Sequence, residues 1–394
     1  MSMDLRAGSR GRHGGLHHSS KGRRWPKRVL IVVSILLVLV LLGGVGGWFC
    51  LNAVLGSVKR FPASSLTPQT AGAPIDILLV GSDSRAFVTG TGQAAAFGSA
   101  TTQAGQRSDV IIVVRLVPST HQIEMLSIPR DTYVPIPGTG SSNRINAAFN
   151  SGANLLVQTI QQDFGIPINH VVAANFPGFE GMVNALGGIS LDFPYPVRDP
   201  DSGLNVTAVG CQTINGTTAL ALVRSRHLYY FKTGAWNYDG MSDWSRIQRQ
   251  QAFFHALLNK ASGEFPNIVS MISFLQATAS DLQVDSAFSA REMISLGLQF
   301  RDAASSSLET EVLPTFPTQI DGNDVLVAAQ PYAHQMIASF LAFGSATSTA
   351  RTSSAGNHAG STTTTMTTST TTPPGQVVFD NPKDLPEPWN PKPC

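Results

Sequence analysis

The chain has 394 residues, 42% of them apolar, a formal net charge of +2 and a pI near 8.5. That is room for one large or two ordinary domains, and the basic balance comes mostly from residues 1–28, so it implies no nucleic-acid partner. Of the three cysteines, Cys50 sits at a membrane edge and Cys394 is the last residue, so no disulfide framework is expected and Cys211 reads as structural.

Residues 1–28 hold eight Lys/Arg, three His and one acid among Gly and Ser, which predicts a disordered basic segment on the cytoplasmic side. Residues 29–51 carry no charge and begin almost purely aliphatic, which is enough to span a hydrocarbon core of about 30 Å, with Trp48 and Phe49 placed for an interfacial belt. A cleaved signal peptide is the rival reading, but the apolar run exceeds an h-region of about 7–15 residues and Ala-x-Ala is missing. The basic flank puts the N-terminus inside and everything after the span outside, as a single-pass membrane protein. Residues 52–73 read as a stalk.

The folded domain is expected over 74–343. Ile75–Val80 is an apolar strand ending in Gly81-Ser82-Asp83-Ser84-Arg85. Residues 86–106 are rich in Gly, Ala, Thr and Gln and predict a loop. Arg107-Ser108-Asp109 opens a second strand, Val110–Leu116, and a third, Gln122–Ile128, ends in Pro129-Arg130-Asp131. Three strand ends therefore meet loops at clusters of Asp and Arg, where a rigid sheet can fix binding groups. Helices follow at about 153–163 and 179–186, strands at 170–176 and 189–193, a connection at 194–215 and a helical turn at 217–222. Next come Arg224 and Arg226, which share a face if extended, then an aromatic loop at 227–244. A helix from Asp243 places Arg246 and Gln250 one above the other, and Asp243 or Ser245 could cap it. Helices near 267–277, 287–299 and 331–342 and a strand at 308–314 complete an α/β layered domain with a mixed sheet. Residues 344–394 read as a disordered tail: 18 of the 30 residues from Ser345 to Pro374 are Ser or Thr, and the last twenty are Pro-rich.

Leu78–Arg85, Arg107-Ser108-Asp109, Leu126–Asp131, Arg144–Ala148, Phe176–Gly188, Ala221–Arg226 and Asp243–Gln251, in this order behind an N-terminal anchor, resemble the LytR-CpsA-Psr family of cell-wall glycopolymer ligases. The resemblance implies a three-layer α-β-α domain with a central mixed sheet and an apolar lipid tunnel. It implies transfer of a glycopolymer from a polyprenyl-pyrophosphate carrier to peptidoglycan on the outer membrane face, with polyprenyl phosphate released. Carried over by position, Asp83 and Asp109 match the acids that hold Mg²⁺ or Mn²⁺. Arg85, Arg107, Arg130, Arg144, Arg224, Arg226, Arg246 and Gln250 match the pyrophosphate-binding set. Arg224, Arg226, Asp243 and Arg246 form the catalytic group, Asp243 as base or as a partner that orients arginine. Phe176, Phe179, Val183, Phe253 and Phe254 are the tunnel lining, with the helical Phe253-Phe254 pair core first. The long loop 86–106 separates the two metal acids more than the family pattern does.

Elementary chemistry points the same way. Phosphoryl transfer needs positioning and charge neutralisation more than covalent help, two carboxylates suit a hard cation, and the planar guanidinium grips phosphate bidentately. Every basic residue in the set is Arg. Other uses of the same site are a lipid-pyrophosphate phosphatase or phosphotransferase, or a non-enzymatic regulator of wall assembly. A transcription factor is excluded, because 28 disordered cytoplasmic residues supply no DNA-binding module. The aromatic loop either stacks on sugars or packs down on the core.

Overall fold

A computed structural model describes residues 59–82, 108–241, 243–264, 274, 282–300, 303, 308–344 and 389–394. The side chains of Asp109 and Asp243 are outside the described ones, as are Asp83, Arg85, Arg107 and the expected span at 29–51. Among the described residues, no helix is long and apolar enough to cross a membrane.

In chain order the elements are β1 (Lys59–Phe61), β2 (Ile75–Ser82), β3 (Ser108–Val117), β4 (Gln122–Ser127), β5 (Tyr133–Ile136), β6 (Ser141–Arg144) and a 3₁₀ turn, Ile145–Ser151. Then come α1 (Ala153–Phe164), β7 (His170–Asn175), α2 (Phe176–Ala185), β8 (Ile189–Phe193), β9 (Val197–Asp199), β10 (Leu204–Val206), β11 (Gly210–Ile214) and α3 (Gly216–Arg224). The rest are β12 (Tyr229–Lys232), β13 (Ala235–Tyr238), α4 (Asp243–Glu264), β14 (Leu282–Asp285), α5 (Ala290–Phe300), β15 (Leu308–Val312), β16 (Thr315–Ile320), β17 (Asn323–Ala328), α6 (Tyr332–Ala342) and β18 (Lys392–Pro393).

Seven strands form the central sheet in the order β1-β14-β7-β2-β3-β4-β15. It is mixed, as expected: β2 runs parallel to β7 and antiparallel to β3, and β15 is parallel to β4. Its middle strands are aliphatic on both faces because helices cover both, the pattern of a sheet buried on two sides. On one face Leu78, Val113 and Leu126 pack with Leu156 and Ile160 of α1 and Phe340 of α6. On the other, Ile77, Ile112 and Met125 meet Leu258 of α4 and Leu296 of α5. A separate cluster joins α2, α3 and α4 to β8 through Val183, Leu191, Leu222 and Phe253.

Buried polar pairs tie these layers together. Arg115 donates to Asp76 on the neighbouring strand at 2.7 and 2.9 Å, and to the carbonyls of Leu341 and Phe343 at the end of α6. Burial pushes the Asp76 carboxyl up to about 6, although Arg115 pulls the other way. Close helix packing explains one glycine. A Cβ on Gly216 would run into the Glu180 carbonyl oxygen and lie 2.7 Å from its Cα, at the crossing of α2 and α3. Backbone cannot yield as a side chain can. Gly216→Ala is therefore expected to destabilise the domain by about 2–3 kcal/mol, read as a lowered midpoint in urea unfolding.

Two stretches read as loops are strands. The connection 194–215 holds β9, β10 and β11, and the aromatic loop is the β12–β13 hairpin, part of a second sheet ordered β10-β9-β12-β13. Thr233 (φ 54°) and Gly234 (φ 80°) make its two-residue turn, whose left-handed backbone matches strand twist.

The chain end is the larger correction. Residues 389–394 are docked, not free: β18 pairs with β8, and Cys394 forms a disulfide with Cys211. Trp389 stacks on Tyr230 with centroids 5.0 Å apart and planes 5° off parallel. Cysteine spacing does not reveal such a bond, because its partners are 183 residues apart and both groups are brought together only by the fold. The Ser/Thr-rich stretch lies outside the described residues.

Candidate active site

Topology gathers the charged motifs at one end of the central sheet. β2 ends at Ser82, directly before Asp83, and Ser82 lies opposite both Ser108 and Asn175. The register slips by one residue there, since Gly81 faces Val110 while Ser82 faces Ser108, which leaves Asp109 as the extra residue of a β-bulge. Bulges re-aim the backbone at strand ends beside active sites. Among the described residues, the buried Ser108 hydroxyl beside it has no hydrogen-bond partner. On the other flank β4 ends at Ser127, next to Val312 of β15, and leads into Pro129-Arg130-Asp131.

Arg130 and Arg144 bracket one carboxylate. Their Nε atoms lie 3.5 and 3.7 Å from the two oxygens of Asp131, and Arg144 also donates to the Asp324 carbonyl at 2.7 and 3.1 Å. Arg144 is therefore tied to the β16–β17 hairpin, a contact no sequence motif announced.

Arg224 reaches the same end of the sheet. It closes α3, and its guanidinium lies over the ring of Phe176, 4.2 Å from the centroid. Phe176 opens α2 immediately after Asn175, whose side chain caps that helix through the Gly178 N–H at 2.8 Å. Arg224 thus stands next to the ends of β2 and β7. Arg246 and Gln250 are buried on α4; the Gln250 amide donates to the Val223 carbonyl at 2.9 Å and so holds the end of α3. Gln251 links the same helix to the Glu311 carbonyl of β15.

The loop between α3 and β12 is fixed from two sides. Asp199, which has no accessible surface, accepts from the Ser225 hydroxyl at 2.7 Å, the Arg226 and His227 N–H groups at 3.0 Å each, and the N–H groups of Asp201 and Ser202. Burial pushes its carboxyl up, but these hydrogen bonds together outweigh burial and hold it below the usual carboxylate range. From the other side, Arg249 donates to the Ser225 carbonyl at 2.7 Å and pairs with Asp239 at 3.2 Å. Burial pushes the Arg249 guanidinium down to about 10, against the pull of Asp239, so it stays charged at neutral pH.

Asp199, Asp201 and His227 stand close enough to hold a cation. Five donors already occupy the Asp199 oxygens, so its job is to anchor the loop. The sign of its pH dependence follows. A carboxyl whose folded pKa is depressed contributes stability that is full above its unfolded value, 3.8, and lost as pH falls through the folded one. Urea midpoints are expected to drop between pH 5 and pH 3, and Asp199→Asn is expected to flatten that slope.

The tunnel residues separate into two groups. Val183 and Phe253 have no accessible surface and are packed core, so neither lines an open channel. Phe176, Phe179 and Phe254 are half-buried, with Phe254 touching both clusters on its side of the sheet. The hairpin divides its aromatics between two faces. Tyr230 packs inward against Tyr195 and Trp389. Tyr229, Phe231, Trp236 and Tyr238 share the other face, since Tyr229 pairs with Tyr238 and Phe231 with Trp236. The Arg198 guanidinium sits 4.1 Å from the Trp236 centroid on that face.

Comparison with known proteins adds to this geometry. The model of the LytR_cpsA_psr family matches residues 55–340. The probable cell wall biosynthesis protein LcpB of Corynebacterium glutamicum is 36% identical over 219 residues, 54% of this chain and 47% of that protein, so the chain spans about half of that relative's length. The polyisoprenyl-teichoic acid–peptidoglycan teichoic acid transferase TagU of Halalkalibacterium halodurans is 31% identical over 261 residues, 65% of this chain and 74% of that protein. Among solved structures, the LytR-Csp2A-Psr enzyme from Actinomyces oris superposes with a TM-score of 0.57 at 25% identity, covering 72% of this chain and 95% of the other.

Proposed function

The chain belongs to the LytR_cpsA_psr family, and from that premise we propose that it transfers a glycopolymer from a polyprenyl-pyrophosphate carrier to a hydroxyl of peptidoglycan. The observation that carries this reading is Arg224 lying on Phe176 beside the strand ends that lead to Asp83 and Asp109. It sets a cation next to an apolar wall, which is what a lipid pyrophosphate presents in reverse.

In the reaction, the acceptor oxygen attacks the phosphorus nearer the sugar and forms a phosphodiester. The bridging P–O bond breaks, and polyprenyl phosphate leaves with its electron pair. Arg224, Arg226, Arg246 and Arg130 neutralise the phosphate oxygens, together with Arg85, Arg107 and Arg144. Asp243 opens α4, whose N-terminal N–H groups favour an anion, and its carboxylate takes the acceptor's proton. Asp83 and Asp109 would hold Mg²⁺ or Mn²⁺; the pair of acids and the Ser108 hydroxyl, which has no partner among the described residues, are hard oxygen donors suited to it. When bound, that ion supplies further charge neutralisation.

The lipid has a place as well. Leu79, Val110, Val114 and Val172 are half-buried although they sit on the central strands β2, β3 and β7, on the face turned to α4 and α5. Aliphatic residues in mid-sheet normally lose all contact with water, so their exposure marks incomplete packing into which a prenyl chain fits, with Phe254 and Leu258 opposite. The exposed aromatic face of β12–β13 begins three residues after Arg226 and offers ring faces to the sugars of the polymer. The basic N-terminus and the apolar span would hold the domain on the outer membrane face.

Mass spectrometry of lipid extracted from the purified full chain tests the substrate class. Polyprenyl pyrophosphate or its glycan-linked form is expected; a preparation carrying only bulk phospholipid would contradict the reading. Transfer is also expected to stop with EDTA and to return with added Mg²⁺.

A further inference from the structure

We propose that the C-terminal hexapeptide is a latch for the phosphate-binding arginines: the Cys211–Cys394 disulfide holds Asn390 against Arg249, and Arg249 fixes the Ser225 carbonyl between Arg224 and Arg226. Its functional consequence rests on the pyrophosphate reading above; its structural content does not.

Each link is a direct hydrogen bond or covalent bond. The Asn390 amide oxygen accepts from Arg249 at 2.8 Å, and its amide nitrogen donates to Gln248 at 2.8 Å. Arg249 is wholly buried and carries a charge, so its N–H groups need acceptors that water cannot replace. It finds three: Asp239, Asn390 and the Ser225 carbonyl. On the loop, the Ser225 N–H donates to Leu222, its hydroxyl to Asp199, and its carbonyl accepts from Arg249. Asp199 holds the next two N–H groups. The backbone that carries both arginines is thereby gripped by an anion on its N–H side and a cation on its carbonyl side. Catalytic geometry depends on such supporting contacts, since displacements of about 1 Å cost large factors in rate.

The hexapeptide docks through few contacts of its own. It contributes a two-residue strand pair with β8, one stacked ring and Asn390, while ordering six residues opposes docking. The disulfide supplies the missing constraint, because cross-linking distant residues removes freedom from the undocked state. Both cysteines are exposed, so thiols in solution reach them. Formation of the bond passes two electrons and two protons from the cysteine thiols to an external protein disulfide, which is reduced to its dithiol. Oxidising conditions outside the membrane favour this, so the site is completed only after export.

The test is amide hydrogen exchange over residues 223–228 in the full chain in detergent, with affinity for geranylgeranyl pyrophosphate measured alongside. Asn390→Ala, and the wild-type chain in dithiothreitol, are expected to exchange the Arg226 and His227 amides about tenfold faster and to bind the probe about tenfold more weakly, the scale of one lost hydrogen bond to a charged group. Asn390→Asp keeps an acceptor for Arg249 and is expected to restore both. Cys211→Ser is expected to match the reduced chain and to ignore dithiothreitol. Unchanged protection in the reduced chain, or failure of Asn390→Asp where Asn390→Ala fails equally, would overturn the latch. Arg224→Ala should weaken the probe without altering exchange. If the wild-type chain does not bind the probe while exchange still responds to reduction, the pyrophosphate reading falls and the structural latch stands.

Discussion

Arg224→Ala and Arg226→Ala are each expected to lower the rate of polyprenyl phosphate release by about 10²–10³-fold, the scale of removing one preorganised donor from a charged transition state. The reason lies in what phosphoryl transfer asks of a protein. Charge spreads over the phosphate oxygens as the bridging bond breaks, and fixed guanidinium groups meet it without reorganising. Arg226 is held by its own backbone: its N–H and that of His227 both bind Asp199. Arg224 also lies over Phe176, so its loss removes a cation–π contact of about 0.5–2 kcal/mol in addition to the phosphate contact. Lysine at either position keeps the charge and loses the planar fork, so Arg224→Lys and Arg226→Lys should recover only part of the rate. The check is single-turnover release by each purified variant, with urea midpoints to show that the fold is retained. Release at the wild-type rate from both Ala variants would remove these residues from the site.

Asp239→Ala is expected to destabilise the domain by about 3–5 kcal/mol, because it leaves the Arg249 charge buried without its carboxylate. Neither side chain of the pair has accessible surface. The N–H···O contact of 3.2 Å is backed by the Ser225 carbonyl and Asn390 on the same guanidinium. Removing both charges together is a different case. Arg249→Met with Asp239→Leu should recover most of the loss in stability, since apolar replacements of similar volume do as well as a buried ion pair. Activity should not follow, because Met cannot hold the Ser225 carbonyl. Urea unfolding of the two single variants and the double variant gives the coupling directly, and additive losses would mean that the pair does not act as a unit.

The stretch from Val223 to Gln251 shows how far residues alone reveal a site. Spacing of Arg224 and Arg226, and of Arg246 and Gln250, identifies a basic cluster, and its order among the other motifs identifies the family. Spacing says nothing about Arg249, which from sequence is one more arginine on a helix. In the fold it is wholly buried and connects the chain end to the arginine loop. The strands Ile75–Ser82 and Ser108–Val117 were legible because a sheet covered on both faces selects unbroken aliphatic runs. The short strands β9 to β11 were not, because Pro, Asp and Gly between them signal turns more strongly than three to five residues signal pairing. The β12–β13 hairpin carried a signal that could have been used: two aromatic-rich runs flanking Thr233-Gly234, a two-residue turn. The last six residues carried none, since their order depends on Cys211, Tyr230 and Arg249, all remote in the chain.

The most direct measurement supplies the full chain in detergent with a polyprenyl-pyrophosphate-linked glycan, with and without peptidoglycan, then digests the product with a muramidase and analyses the fragments by mass spectrometry. The predicted result is polyprenyl phosphate released in step with glycan joined to muropeptide through a phosphodiester, only when peptidoglycan is present. Equal release without the acceptor, or no glycan on the muropeptides, would contradict a ligase and leave a lipid-pyrophosphate phosphatase or a binding protein in its place.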